Sequence, residues 1–409
     1  MKLSLNTQIL LGALFGVGVG ILLNVLGNTH PVYHPTVYFS EIIGDFFVNL
    51  LKMVLIPLVF TSITVGIANL RAHAQMDKVW KYTMIYFLVT PIIAAILGLT
   101  VINIAKPGVG LNIDLFKDSM SMFHADQMSI AQFFKTFLSS MFVNPVTAMA
   151  QGNVFAIVVF ALILGIALVV TGPKAKTILN FLNEFFDIIM LIVQWIMRLA
   201  PFGIMALLAK LIATQNVGLF TSLGLFMAVV AGTTLFHGIV ILPGILYILT
   251  KFSPFKFFAA MQEALVTAFS TSSSSATMPV TMRCLERNLK VDKDIAGFVL
   301  PLGTTVNMDG TAMYEAAAAL FIANIVGIEL NLVQQCVVVI TAVIASIGAP
   351  GIPSAGMVTM VMVLQSVGLP VEAIAILLPI DRPLDAIRTM VNVEGDAVCS
   401  LIVQKYASK

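Results

Sequence analysis

Four stretches of this chain, residues 9–26, 82–105, 154–171 and 216–250, contain no Asp, Glu, Lys or Arg. A helix that crosses the hydrocarbon of a bilayer needs about 20 mainly apolar residues, and these stretches run from 18 to 35. Only 10% of the 409 residues are charged, 59% are apolar, and the mean hydropathy is +1.00. Soluble domains carry about 25% charged residues, so lipid must be the main solvent of a chain this poor in charge. The fold class that follows is an all-α polytopic membrane protein. The first stretch lies behind Lys2 and has no small-residue cleavage site, so it reads as an uncleaved first span and not as a signal peptide.

The net charge of +2 comes with no basic run, which argues against a nucleic-acid partner. Cys284, Cys336 and Cys399 lack metal-type spacing and read as free thiols. His237 stands alone in an apolar stretch and reads as a hydrogen-bonded packing residue.

Further helices are expected over 40–70, 178–213, 295–326 and 371–404. A shorter or broken one is expected over 131–149, where Lys135 and Pro145 interrupt it. Residues 106–128, with Pro107, Gly108 and Gly110, read as an aqueous loop. The excess of Lys and Arg on cytoplasmic loops sets orientation. It places Arg71, Lys78, Lys81, Lys174, Lys176, Lys251, Lys256 and the loop Arg283, Arg287, Lys290, Lys293 inside, with both chain ends cytoplasmic. Residues 257–282 then begin and end on the same side, so they must enter and return. Ser270–Thr271–Ser272–Ser273–Ser274–Ser275 sits at the tip, where hydroxyls compete with the helix for backbone bonds. Residues 332–369 pose the same problem from the other face, with Ser346–Ile347–Gly348–Ala349–Pro350–Gly351–Ile352–Pro353 at the centre. Irregular backbone at membrane depth survives only where protein or a water-filled cavity surrounds it. The expectation is therefore eight spans plus two re-entrant helical hairpins from opposite faces, an inverted repeat with the site where the tips meet.

Asp381, Asp385, Arg388, Asn392 and Asp396 follow one another at spacings of four, three, four and four, which places them within roughly 80° of arc on one helix. Glu394 points the opposite way. The apolar run continues through 398–403, so the stripe lies in the membrane, where each unpartnered charge costs about 2.5–3.5 kcal/mol or more. Three aspartates against one arginine leave excess negative charge, and Asp309 adds to it. A buried excess of that kind needs cations, which sodium ions and a substrate ammonium would supply. Asn307–Met308–Asp309–Gly310–Thr311 predicts an unwound turn at Gly310, freeing carbonyls for a hard cation. Glu315 lies four residues beyond Thr311 among alanines and serves either as a proton carrier or as a neutral hydrogen-bonded acid.

These residues resemble the glutamate/aspartate transporter family, the dicarboxylate/amino acid:cation symporters. The matching motifs are Ser272–Ser273–Ser274–Ser275–Ala276–Thr277, Asn307–Met308–Asp309–Gly310–Thr311, Gly348–Ala349–Pro350–Gly351–Ile352–Pro353 and Asp385–Ala386–Ile387–Arg388–Thr389–Met390–Val391–Asn392. The stretch from Leu51 to Val59 is similar to the family's second helix. The resemblance implies a homotrimer in a plasma or inner membrane. Residues 1–70 and 129–214 would form the scaffold; residues 79–106 and 217–409 would form a moving transport unit. It implies that Arg388, assisted by Thr311, takes the substrate's side-chain carboxylate and that Asp385, with Thr389 nearby, takes the ammonium. Asn392 and the backbone of Ser273, Ser274 and Ser275 would take the α-carboxylate. One sodium would sit at Asp396 with Gly303, Asn307 and Asn392. A second would use carbonyls of Thr305, Ser346, Ile347 and Ala349, and a third Thr90, Asn307 and Asp309. No organic cofactor is implied, and the chain is not an enzyme.

The chemistry of the residues agrees. Arginine offers a planar, permanently charged fork for a carboxylate, and Asp385 one turn away suits an ammonium. There are departures from the family pattern: Pro91 stands where a hydroxyl accompanies Thr90, and Ser272 and Ala386 occupy positions where members carry an arginine, for which Arg382 is the candidate substitute. Glu315 resembles the acid linked to proton and potassium coupling in animal members. The rival readings are a neutral amino acid exchanger, opposed by Arg388, and a C4-dicarboxylate carrier, opposed by Asp385. An intramembrane aspartyl protease is opposed by Val393–Glu394–Gly395–Asp396, which lacks the Gly-x-Gly-Asp pattern; an anion channel is the remaining alternative.

Overall fold

The computed structural model describes residues 5–69, 77–111, 139, 142–151, 153–214, 217–349, 351 and 354–407. Every regular element among the described residues is helical. Four helical stretches, Thr7–Leu26, Lys78–Ala105, Val159–Ile196 and Thr221–Thr250, are long and apolar enough to cross a membrane. Each overlaps one of the charge-free stretches. Their outer faces are apolar as well: on the first, Phe15 is 64% and Val25 79% exposed, which is the surface that lipid solvates.

The first part of the chain forms α1 (Leu5–Leu26), α2 (Tyr33–Asn69), α3 (Asp77–Ala105), α4 (Pro145–Gln151), α5 (Val154–Thr171), α6 (Lys176–Met197) and α7 (Ala200–Thr214). Helix α1 packs along α7, and α2 packs on α5, α6 and α7. Close packing of α1 on α7 comes from small residues one turn apart, as membrane helices require: a Cβ on Gly12 would stand 2.4 Å from the Pro201 carbonyl oxygen, and one on Gly16 2.3 Å from that of Met205. The single helix expected over 178–213 is two helices. The chain turns at Arg198 and Leu199, and Pro201, which has no N–H to continue a helix but suits a first turn, opens α7. Most of the loop expected over 106–128, and residues 131–138 of the next expected helix, lie outside the described residues.

The second part forms α8 (Val217–Phe236), a π-helical turn (His237–Ile241), α9 (Leu242–Thr250), α10 (Pro254–Thr271), α11 (Ser274–Arg287), α12 (Lys293–Val306), α13 (Asp309–Val326), α14 (Leu332–Gly348), α15 (Ala355–Ser366) and α16 (Ile374–Ala407). The π turn precedes Pro243, whose missing N–H would break the regular ladder. Helices α10 and α11 pack on each other across a two-residue break, and α14 and α15 do so across residues 349–354. Helix α3 joins this part, packing on α13 and α16. Helix α16 touches α3 and α8–α13, and all of residues 391–403 are buried. The polar stripe is therefore an interior feature and not a solvated end.

Candidate functional site

Three helix pairs break at the same place. Helix α10 ends at Thr271, Ser272 takes a left-handed conformation with φ +50°, and extended Ser273 caps α11 by accepting from the amide of Ala276 at 3.1 Å. Helix α12 ends at Val306, and Asn307 and Met308, with φ of −110° and −126°, carry the chain into α13. The break thus falls at Asn307 and Met308; Gly310, where unwinding was expected, is already helical. Helix α14 ends at Gly348, and Ser354, at φ +60°, precedes α15. The first and third breaks touch: Ser273 Oγ donates to the Gly351 carbonyl at 2.7 Å, and the Ser275 amide donates to the same oxygen at 3.2 Å. The second lies against them, since a Cβ on Gly351 would stand 2.7 Å from the Thr304 carbonyl oxygen. Exposed carbonyls at the ends of α10, α12 and α14 favour cations, and free amides at the starts of α11, α13 and α15 favour anions.

A buried carboxylate cluster sits at the second break. Asp309 accepts from Thr90 Oγ1 at 3.0 Å and pairs with His237 Nε2 at 2.9 Å. Asn307 lies 3.4 Å from Thr90 Oγ1 and donates its amide to Asp396 Oδ1 at 3.0 Å. Gly303 lies so close to Asp396 that an added Cβ would be 2.2 Å from Oδ1. Asp309, Asn307, Thr90 and Asp396 are each at most 1% exposed. Carboxylate, amide and hydroxyl oxygens gathered in this way are the donor set that a hard cation takes.

A second cluster faces the third break. Arg388, 1% exposed, donates from Nη2 to Asp381 Oδ1 at 2.7 Å and to Asp385 Oδ1 at 2.8 Å. Its guanidinium lies 3.9 Å from the centroid of the Tyr314 ring, which supplies a cation–π contact. Nε and Nη1 have no hydrogen-bond partner among the described residues. Asp385 Oδ2 accepts from the Ser354 amide at 2.8 Å and lies 3.6 Å from Arg382 Nη1. Asn392 accepts from the Gly310 amide at 2.8 Å and donates to Thr311 Oγ1 at 3.3 Å. Glu315 accepts from Thr359 Oγ1, and its other oxygen has no partner among the described residues. Arg382 and Arg388 thus face Asp381 and Asp385 here, with Glu315 beside them, whereas Asp309 and Asp396 at the second break have no arginine among their described partners.

The sodium:dicarboxylate symporter family matches residues 5–406. The chain belongs to this family. It is 35% identical over 452 residues to mouse "Excitatory amino acid transporter 3", covering 99% of this chain and 86% of the relative. It is 35% identical to human "Excitatory amino acid transporter 2", covering 98% and 78%, and 33% identical to mouse "Neutral amino acid transporter B(0)", covering 96% and 79%. The symporter is thus an integral membrane transporter of amino acids or dicarboxylates that co-transports sodium, and not an enzyme.

The structure of the symporter brings together Thr90, Gly303, Asn307, Asp309 and Asp396, and, in the neighbouring cluster, Thr311, Asp385, Arg388 and Asn392. Ser273 and Ser274 are buried at the first break; Ser275 is exposed and contributes its amide. Thr389 is buried. Thr305 and Ser346 return their hydroxyls to Leu302 and Val343 of their own helices, and with Ile347 and Ala349 they stand at the ends of α12 and α14, which pack on each other. Pro350, Ile352 and Pro353 lie outside the described residues. Sequence reasoning assigned no role to Tyr314 beneath Arg388, Thr359 on Glu315, or Ser354 on Asp385. Of His237 it found the hydrogen bonding but not the partner, Asp309; the lone imidazole in a charge-free helix was the available signal.

Proposed function

We propose that this chain is a secondary active symporter of an acidic amino acid, aspartate or glutamate, driven by sodium. The observation that carries the reading is Arg388. A buried guanidinium, held at one end by Asp381 and Asp385 and stacked on Tyr314, leaves Nε and Nη1 for a carboxylate. Asp385 on the same face offers the opposite charge for an ammonium. Both features together describe an acidic amino acid better than a neutral one or a simple dicarboxylate. The helix amide at Ser274 is the natural partner of the α-carboxylate, with Asn392 beside it.

Sodium ions would occupy the Asp396 site with Gly303, Asn307 and Asn392, the ends of α12 and α14 at Thr305, Ser346, Ile347 and Ala349, and the Thr90, Asn307 and Asp309 cluster. The packed pairs α10–α11 and α14–α15, each broken at its tip, support two re-entrant hairpins within an eight-span inverted repeat. The packing of α3 on α8, α12, α13, α14 and α16, while α1, α2 and α5–α7 pack mainly among themselves, supports a transport unit that moves against a scaffold in a homotrimer, giving alternating access. Both chain ends would face the cytoplasm of a plasma membrane. A sodium-dependent binding titration of the purified protein tests the substrate class: aspartate or glutamate should bind at least ~100-fold more tightly than alanine, serine or succinate, the effect of about 3 kcal/mol in charge-assisted bonds. Equal binding of alanine would refute it.

A further inference from the structure

His237 opens the π turn between α8 and α9 and is fully buried, in a stretch, residues 216–250, that holds no Asp, Glu, Lys or Arg. An apolar residue would pack there at lower cost, since a buried imidazole must recover the hydration it gives up. Its described recovery is a single bond. Nε2 stands 2.9 Å from Asp309 Oδ2, and Nδ1 has no hydrogen-bond partner among the described residues. With an acceptor at Nε2 alone, the ring proton belongs there, and Nε2–H donates to the carboxylate. The imidazole is then neutral and leaves the charge of Asp309 for a cation. The backbone aims this bond. The Leu242 amide donates to the His237 carbonyl, five residues back, where an α-helix would span four. Gly238 seats the turn on α16: a Cβ there would stand 2.9 Å from Val391 Cγ2 and 3.0 Å from Glu394 Oε2.

The other tether on Asp309 is weaker. Thr90 Oγ1 lies 3.0 Å from Asp309 Oδ1, but also 3.2 Å from the Tyr86 carbonyl oxygen and 3.4 Å from Asn307 Oδ1. One hydroxyl proton cannot serve three acceptors, and Pro91 beside it brings no second hydroxyl. The side-chain amide of Asn307 is already given to Asp396. Among the described residues, His237 is therefore the firmest hold on the Asp309 side chain. We propose that His237 is a positioning residue for the sodium site at Thr90, Asn307 and Asp309. Its Nε2–H fixes Asp309 Oδ2, which leaves Oδ1, on the side of Thr90 and Asn307, as the oxygen for the ion. This rests on the sodium-symport reading above and adds to it the group that orients one ligand. Outer groups that orient a metal-binding side chain are worth about 10- to 100-fold in affinity.

The test is titration of sodium into the purified full chain, with thermal stability in sodium-free buffer read alongside. His237→Phe keeps a buried ring and removes the donor, so sodium affinity should weaken about 10- to 100-fold. His237→Gln, whose side-chain amide takes the place of Nε2–H, should restore affinity to near the wild-type value. In an Asp309→Asn background His237→Phe should add little further loss, because the two residues act as one unit. A structural histidine gives a different pattern: lower thermal stability with wild-type sodium affinity in His237→Phe, or losses that add in the double variant. Either result overturns the proposal. Where His237→Phe fails to fold, His237→Gln and His237→Asn decide. Asparagine is too short to reach Asp309 Oδ2 and should bind sodium at least ~10-fold more weakly than glutamine; equal affinities overturn the proposal. Wild-type sodium affinity in Asp309→Asn alone would instead remove Asp309 from the sodium sites and so overturn the reading on which the proposal stands.

Discussion

Ser273 and Gly351, 78 residues apart, meet at 2.7 Å, the hydroxyl of the one donating to the carbonyl of the other. That bond joins the tip of α10–α11 to the tip of α14–α15. A Cβ on Gly351 would stand 2.5 Å from Ser275 Oγ and 2.7 Å from the Thr304 carbonyl oxygen. Gly351→Ala should therefore part the tips, at the cost of about 1–3 kcal/mol usual for overpacking. Substrate affinity should fall about 10-fold or more, as read by binding titration, with a smaller loss of thermal stability. Wild-type affinity in this variant would show that the tips do not bound the site.

Arg388→Cys removes the buried guanidinium that donates to both Asp381 and Asp385, leaving Arg382 at 3.6 Å from Asp385. Uptake of aspartate and glutamate should fall at least ~100-fold, and small neutral amino acids should become substrates. Competition assays in reconstituted vesicles read both effects. Near-normal aspartate affinity would remove Arg388 from the substrate site. Because the change leaves two buried carboxylates without their arginine, a stability cost of about 3–5 kcal/mol should accompany it, and Arg388→Lys separates charge from fork geometry.

Asp396→Asn leaves the size of the side chain almost unchanged and removes the carboxylate that Asn307 and Gly303 surround. Sodium affinity should weaken by about 10- to 100-fold. Calorimetric titration of sodium into the purified variant gives the answer, and an unchanged dissociation constant would mean that Asp396 is structural.

Much of this site could be read before any coordinates, and the reasons are local. Charge-free stretches fix membrane spans because no other solvent tolerates them. The four-three-four-four spacing from Asp381 to Asp396 fixes a shared helix face because the helical period is rigid. The tips were legible from the hydroxyl run at Ser272–Ser275 and from Gly351, since both disfavour helix. Contacts between distant segments were not legible. Nothing in the local sequence of Thr359 marks it as the partner of Glu315, or of Ser354 as a donor to Asp385, because those bonds depend on how whole helices pack. Gly310 was misread as the point of unwinding; the backbone departs from helix at Asn307 and Met308, where the side chain of Asn307 is drawn to Asp396 and Thr90.

Glu315 is fully buried, with one oxygen on Thr359 and the other without a partner among the described residues. Glu315→Gln keeps the hydrogen-bonding shape of a protonated acid permanently. Sodium-driven exchange of substrate present on both sides should persist, while any dependence of net uptake on pH or on internal potassium should vanish. Parallel exchange and net-flux assays distinguish the two. Retained pH dependence in the variant would assign proton coupling elsewhere, and a wild type without such dependence would make Glu315 a structural acid.

The central claim is that this chain moves an acidic amino acid at the expense of a sodium gradient. It is tested most directly by uptake of labelled aspartate and glutamate into proteoliposomes, with sodium, proton and potassium gradients imposed one at a time. Saturable accumulation that requires the inward sodium gradient, and that unlabelled acidic amino acids suppress while alanine and succinate do not, is the expected result. Flux that proceeds equally without a sodium gradient and rises without saturation would contradict it and point to a channel.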